Sequence, residues 1–158
     1  MKAQIRLLFI TALLVLSVSL VSVASAQDSE KKVKMKDLPP AVQAAVKEQS
    51  KGAIIRGLAK EVEQGKTFYE AELKVNGHNK DVLFDTDGKV VEIEEQIALN
   101  SLPPMVKTEI VKQAGKGRIG VVESITKDNA IVAYEAHVKT AGKASEIKVG
   151  PDGKPVAQ

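Results

Sequence analysis

The chain has 158 residues, with 23 basic and 20 acidic side chains, no cysteine, no tryptophan, two tyrosines and three phenylalanines. The lack of cysteine excludes a disulfide framework, a thiolate nucleophile and sulfur-ligated zinc, so stability has to come from packing. Without Lys2 and Arg6 of the first segment the basic count drops from 23 to 21 against 20 acids, and a near-neutral chain with interleaved charges and few aromatics lacks the basic stripe of a nucleic-acid binder.

Residues 1–26 read as a secretory signal: Lys2 and Arg6, an apolar run from Leu7 to Val23, and small residues closing at Ala24, Ser25 and Ala26, with cleavage expected after Ala26. A membrane anchor is the rival reading of such a run, but the A-x-A site follows at once and the next stretch, QDSEKKVKMK, is strongly polar. The expected compartment is therefore the periplasm or the exterior, with no membrane anchor after cleavage. Residues 27–36 read as a flexible polar segment.

From Asp37 onward the chain states one pattern twice. Leu38, Pro39, Pro40, Val42 and Val46 reappear as Leu102, Pro103, Pro104, Val106 and Ile110, 64 positions later. After one inserted residue, Gly52, Ile54, Tyr69-Glu70, Gly77 and Asp87-Gly88-Lys89 reappear as Gly117, Ile119, Tyr134-Glu135, Gly142 and Asp152-Gly153-Lys154 at an offset of 65. A register held by glycines, aromatics and turn residues over this span marks an internal duplication, with units at 37–96 and 97–158.

Each unit opens with a polar residue, Asp37 or Ser101, read as a helix cap ahead of two prolines that fit a first helical turn. Leu38, Val42 and Val46, and their counterparts, recur every four residues as one apolar stripe, and Gly52 and the Gly115/Gly117 pair stop the helices. The stretches AIIRGLAKEV and RIGVVESIT, then TFYEAELKV and IVAYEAHVK, read as strands. In the latter pair Tyr69, Ala71, Leu73 and Val75, and Tyr134, Ala136 and Val138, form a dry face that alternates with a wet one. Asn76-Gly77 is a strong hairpin signal and Ala141-Gly142 a weaker one. A third strand carries Val82 and Phe84, or Ile147 and Val149, inward; DTDGK and GPDGK then turn the chain into a fourth, VVEIEE in the first unit and a stub in the second, where Pro155 interrupts. The predicted architecture is α+β, a tandem repeat of one helix packed on a four-stranded antiparallel sheet. Units of about 60 residues approach the lower limit for an independent core, so the halves are expected to lean on each other as a semi-rigid pair.

The L-P-x-x-V opening with its apolar partner eight residues beyond the leucine, the Tyr-Glu strand, the glycine hairpin and the closing Asp85-Thr86-Asp87-Gly88-Lys89-Val90-Val91 resemble the PepSY-like family and its beta-lactamase-inhibitor-like branch. The resemblance recurs once per unit and implies an exported helix-plus-sheet module that binds or restrains other proteins, peptidases among them. The second copy departs from it where Gly150-Pro151 replaces Asp85-Thr86 and the last strand is cut short.

Reactive chemistry has little support. Asp85, Asp87 and Glu92 are too few oxygen ligands for a calcium loop and read as an Asp-Gly turn with its neighbours. His78 and His137 occupy non-equivalent positions without a second histidine or cysteine nearby in sequence, so no metal site and no cofactor are expected. Ser124 and Ser145 lack a nucleophile-elbow motif. Glu70, Glu72, Glu92 and Glu94 gather on one sheet face with interleaved lysines, the usual look of a solvated face rather than of an acid–base pair. Tyr69 and Tyr134 read as core, whereas Phe68 points the other way beside the carboxylates and is the better anchor. The expected function is an exported, non-enzymatic module that binds another exported or envelope protein, as an inhibitor or modulator of an envelope hydrolase or peptidase, through Phe68, Glu70, Glu72, Glu92 and Glu94 of the first unit and Glu135 and His137 of the second. A carrier of a small ligand or cation is the alternative.

Overall fold

The computed structural model describes residues 29–156; the expected signal at 1–26 and its cleavage point lie outside the described residues. Strand β1 (Ser29–Lys32) leads through a 3-10 turn (Met35–Asp37) into helix α1 (Pro40–Gln49) and strands β2 (Ile54–Glu63), β3 (Lys66–Val75) and β4 (His78–Phe84). The series then repeats as β5 (Val90–Gln96), a 3-10 turn (Leu99–Ser101), α2 (Pro104–Ala114), β6 (Arg118–Lys127), β7 (Ala130–Thr140) and β8 (Lys143–Val149). All eight strands form one antiparallel sheet in sequence order. No helix among the described residues is long and apolar enough to cross a membrane.

The two units expected to carry a four-stranded sheet each are joined edge to edge in this single sheet. β5 bonds to β4 on one side and to β6 on the other. Its second half has the role in the second unit that β1 has in the first: Ile93–Gln96 pair with Glu123–Thr126, and Ser29–Lys32 pair with Ala59–Val62, 64 positions earlier. The backbone bonds Val33 N–H to Leu58 O and Ile97 N–H to Val122 O, both 2.9 Å, continue the correspondence. Within the stretch read as a flexible polar segment, Ser29–Lys32 therefore form an outer strand, every residue of which is exposed.

Both helices lie on one face. Leu38, Val42 and Val46 pack on Ala71, Leu73, Val82 and Phe84; Leu102, Val106 and Ile110 pack on Val122, Tyr134, Ala136, Val138, Ile147 and Val149. The dry alternation expected for β3 and β7 is observed, and Tyr69 and Tyr134 belong to the cores. The helix starts differ from expectation. No side chain caps either one: the prolines at 39 and 103 occupy the cap positions, and Ser101 Oγ donates 2.7 Å to Ala98 O, closing the turn before α2.

The turn at Asp85–Lys89 is built as an Asp-Gly turn. The Asp85 carboxylate accepts the amides of Asp87 and Lys89 at 3.0 and 2.9 Å. Gly88 has φ +81° and sits so close to the first turn of α1 that a Cβ would stand 2.7 Å from Ala41 O. The hairpins Asn76-Gly77 and Ala141-Gly142 share a left-handed geometry, with φ near 50° at Asn76 (49°) and Ala141 (50°). Alanine is poorly suited to that region and asparagine tolerates it. Ala141→Asn is therefore expected to raise the unfolding free energy by about 0.5–1 kcal/mol, seen as a higher urea midpoint at unchanged slope.

Candidate functional site

The face away from the helices is bare, and register assembles acids across it. Glu70 stands opposite Leu83, Glu72 opposite Asp81, Asp81 opposite Glu94 and Leu83 opposite Glu92; Glu61 stands opposite Phe68. Glu61, Glu63, Glu70, Asp81, Glu92 and Glu94, with Leu83, line a cleft of about 210 Å³. Glu72 settles over Gly57 at a bulge in β2, where a Cβ would lie 2.7 Å from its Oε1. No helix covers this face, yet Ala59, Ile125 and Ala133 on it are buried, so the polar side chains fold over one another rather than standing apart in water.

That crowding changes protonation. Burial first, and then the charge of Glu61 and a hydrogen bond with it, push Glu70 up to about 8. Burial, followed by a hydrogen bond with Glu92 and the charges of Glu92, Glu135 and Glu123, pushes Glu94 up to about 8. Asp81 rises to about 6, through burial and the charges of Glu123 and Glu72. Two carboxyls that share a proton avoid the repulsion of two buried anions. The pairs Glu70–Glu61 and Glu94–Glu92 are of this kind, and Glu92 is further paired with Lys127 at 2.5 Å.

In the second unit Glu123 faces Glu135 across β6 and β7, and Glu135 faces Lys148 across β7 and β8. Both glutamates are buried, at 6% and 7% exposure. His137 Nε2 lies 3.0 Å from Glu123 Oε2 and 3.8 Å from Glu135 Oε1, while its Nδ1 is 3.6 Å from Glu146 Oε1. Lys148 Nζ holds Glu135 Oε2 at 2.9 Å. Burial opposes the charge on Lys148, but that bond and the charges of Glu135, Glu94 and Glu92 outweigh it and raise its pKa.

Of the sequence-predicted contact residues, Glu70, Glu72, Glu92 and Glu94 come together, with half-buried Phe68 at the edge of the same group. Glu135 and His137 form a separate cluster, and burial withdraws Glu135 from solvent, so it offers a partner little contact area. Sequence reasoning missed Glu61, Glu63, Asp81 and Glu123. The alternation Glu61–Glu63 in β2 and the parity of Asp81 with Leu83 in β4 carry the signal for the first three. Glu123 required the register of β6 against β7.

Two overlapping stretches, 26–90 and 67–154, match the family model described as "Putative beta-lactamase-inhibitor-like, PepSY-like". The chain belongs to this family. Solved structures share the PepSY-like protein's fold. A "putative periplasmic" protein of Bacteroides eggerthii superposes with a TM-score of 0.62 at 20% identity, over 76% of this chain and 86% of that one. A BLIP-like protein of Bacteroides fragilis superposes with a TM-score of 0.52 at 23% identity, over 74% and 82%. No curated protein matches the PepSY-like sequence.

Proposed function

We propose that this PepSY-like protein is an exported, non-enzymatic binding module that docks on another envelope protein, a hydrolase or peptidase, through its bare polar face. The observation that carries this reading is the continuity of the sheet across both units, with both helices on the opposite side. Eight strands at ~4.8 Å spacing and about seven residues each at ~3.3 Å offer roughly 900 Å² of projected face. A stable protein partner buries ~800 Å² on each side, so both units are needed and neither alone suffices. The signal-like N-terminal sequence and the periplasmic description of the B. eggerthii neighbour support export.

A cleft whose crowded carboxyls outnumber the lysines beside them favours a basic partner. A lysine or arginine entering the Glu70–Glu94 cleft replaces the protons shared there and pairs with the carboxylates they leave. Affinity capture from the matching periplasmic extract tests this: the wild-type protein is expected to retain a partner that the Glu70→Lys/Glu72→Lys variant loses. Retention by both proteins alike, or by neither, would count against docking through this face. The carboxylate-lined cleft also favours a second reading, a cation or small-ligand carrier, for which a ligand-dependent rise in melting temperature without protein capture is the signature.

A further inference from the structure

We propose that Glu123, Glu135 and His137 form a binding site for a divalent transition-metal ion of the zinc type. The cluster lies in the second unit's part of the same polar face, beside the Glu70–Glu94 cleft, and metal binding there is measured with no docking partner present. One ligand atom from each residue lies within 4.8 Å of the others. A tetrahedral ion with bonds of ~2.0–2.1 Å sets its ligand atoms roughly 3.3 Å apart. The distances from Nε2 to the two carboxylates, 3.0 and 3.8 Å, bracket that spacing.

The surroundings are those of a ligand set held in place. Both carboxylate side chains are more than nine-tenths buried, at 8% and 9% exposure, and among the described residues the ion-pair partner of Glu123 is His137 itself. Lys148 occupies the outer oxygen of Glu135, Oε2, and leaves Oε1 turned toward the imidazole. Glu146 Oε1 lies 3.6 Å from Nδ1, beyond direct hydrogen-bond reach, and its negative charge favours a proton on that nitrogen, leaving Nε2 for a metal. Glu94 and Asp81 add negative potential, since each feels the charge of Glu123. A dication bound by a neutral imidazole and two carboxylates offsets this excess better than a single imidazolium does. The nitrogen ligand distinguishes the site from a hard, all-oxygen one and favours zinc over calcium or magnesium. Three protein ligands leave a fourth position toward the half-exposed side of His137.

Titration of the purified, tag-free protein with zinc sulfate against a chromophoric chelator tests the site. One equivalent is expected to bind saturably, and His137→Gln is expected to weaken it by about a hundredfold and Glu146→Gln by about tenfold. His78→Gln, which removes the other histidine of the chain, is expected to leave zinc affinity unchanged. Glutamine at 137 keeps an N–H donor for the buried Glu123 carboxylate that His137 holds, and circular dichroism with a thermal melt verifies that the variant is folded. The proposal is overturned if zinc fails to saturate, if His137→Gln binds equally well, or if calcium binds as tightly as zinc. It is overturned equally if nitrogen NMR shows the His137 ring protonated on both nitrogens and insensitive to zinc, which would make the cluster an imidazolium clamped between carboxylates.

Discussion

Shortening Phe84 to alanine is expected to lower the unfolding free energy by about 3–5 kcal/mol, the largest loss of any single truncation in the sheet. Phe84 is fully buried at the end of β4, with Tyr69 opposite on one side and Val90 on the other, in the core beneath α1. Removing the ring loses its transfer free energy and leaves a void that a rigid sheet cannot close, because β3 and β5 fix the strand on both sides. In a domain of this size the loss corresponds to a melting temperature lower by roughly 10–20 °C. Ile54→Ala, at a site 66% exposed, is the matched control and should change stability by no more than about 0.5 kcal/mol. Equal effects of the two substitutions in thermal melts would refute this assignment of the core.

The second large effect is a dependence of stability on pH. Glu70 and Glu94 hold their protons up to about 8 when folded, against an ordinary 4.5, and Asp81 holds its proton up to about 6 against 3.8. The folded chain binds these protons more tightly than the unfolded one, so the stability they contribute is complete below the ordinary carboxyl range and is lost as pH rises. For Glu70 and Glu94 the loss runs from about pH 4.5 to about pH 8 and then levels off. Both groups are partly in contact with water, and the full linkage value of ~1.4 kcal/mol per pKa unit is reduced accordingly, leaving on the order of 1–2 kcal/mol across that range. The Glu70→Gln/Glu94→Gln variant keeps hydrogen-bonding groups in the cleft but cannot ionise there. Its melting temperature should stay nearly level between about pH 6 and 8, above the range in which Asp81 titrates, while that of the wild type declines. Parallel curves for the two proteins would refute the proton-sharing pairs.

The sequence made the cores legible because their signals are local. Leu38, Val42 and Val46 repeat on one helix face, Ala71 and Leu73 alternate along one strand, and Asn76-Gly77 sets a hairpin; each can be read within a dozen residues. The role of β1 was not legible, since Ser29-Glu30-Lys31-Lys32 has no apolar alternation and is a strand only because β2 offers it an edge. Its neighbours Val33 and Met35, which match Ile97 and Leu99 at an offset of 64, carry the trace of an earlier start to the repeat. The strand that joins the two units was hidden for the same reason: nothing local in Val90–Gln96 tells that both of its edges are bonded. At the candidate sites, Glu70 and Glu72 or Glu92 and Glu94 could be grouped by parity within one strand. The cluster around His137 could not. Its carboxylates come from β6, β7 and β8, and only the cross-strand register that follows the bulge in β6 brings Glu123 beside the ring.

A sheet that does not close on itself leaves two raw margins, where unpaired amides invite another chain to add on and fibres to grow. Here one margin is the short, fully exposed Ser29–Lys32, whose charged side chains make it a poor template for another strand. At the other, the chain doubles back so that Pro155 bridges Val149 and the Val156 amide donates to Lys148 O, placing an imino acid without an N–H where a newcomer would have to bond. An open ribbon guarded in this way can present its broad acidic side to a partner while its ends discourage self-association into filaments.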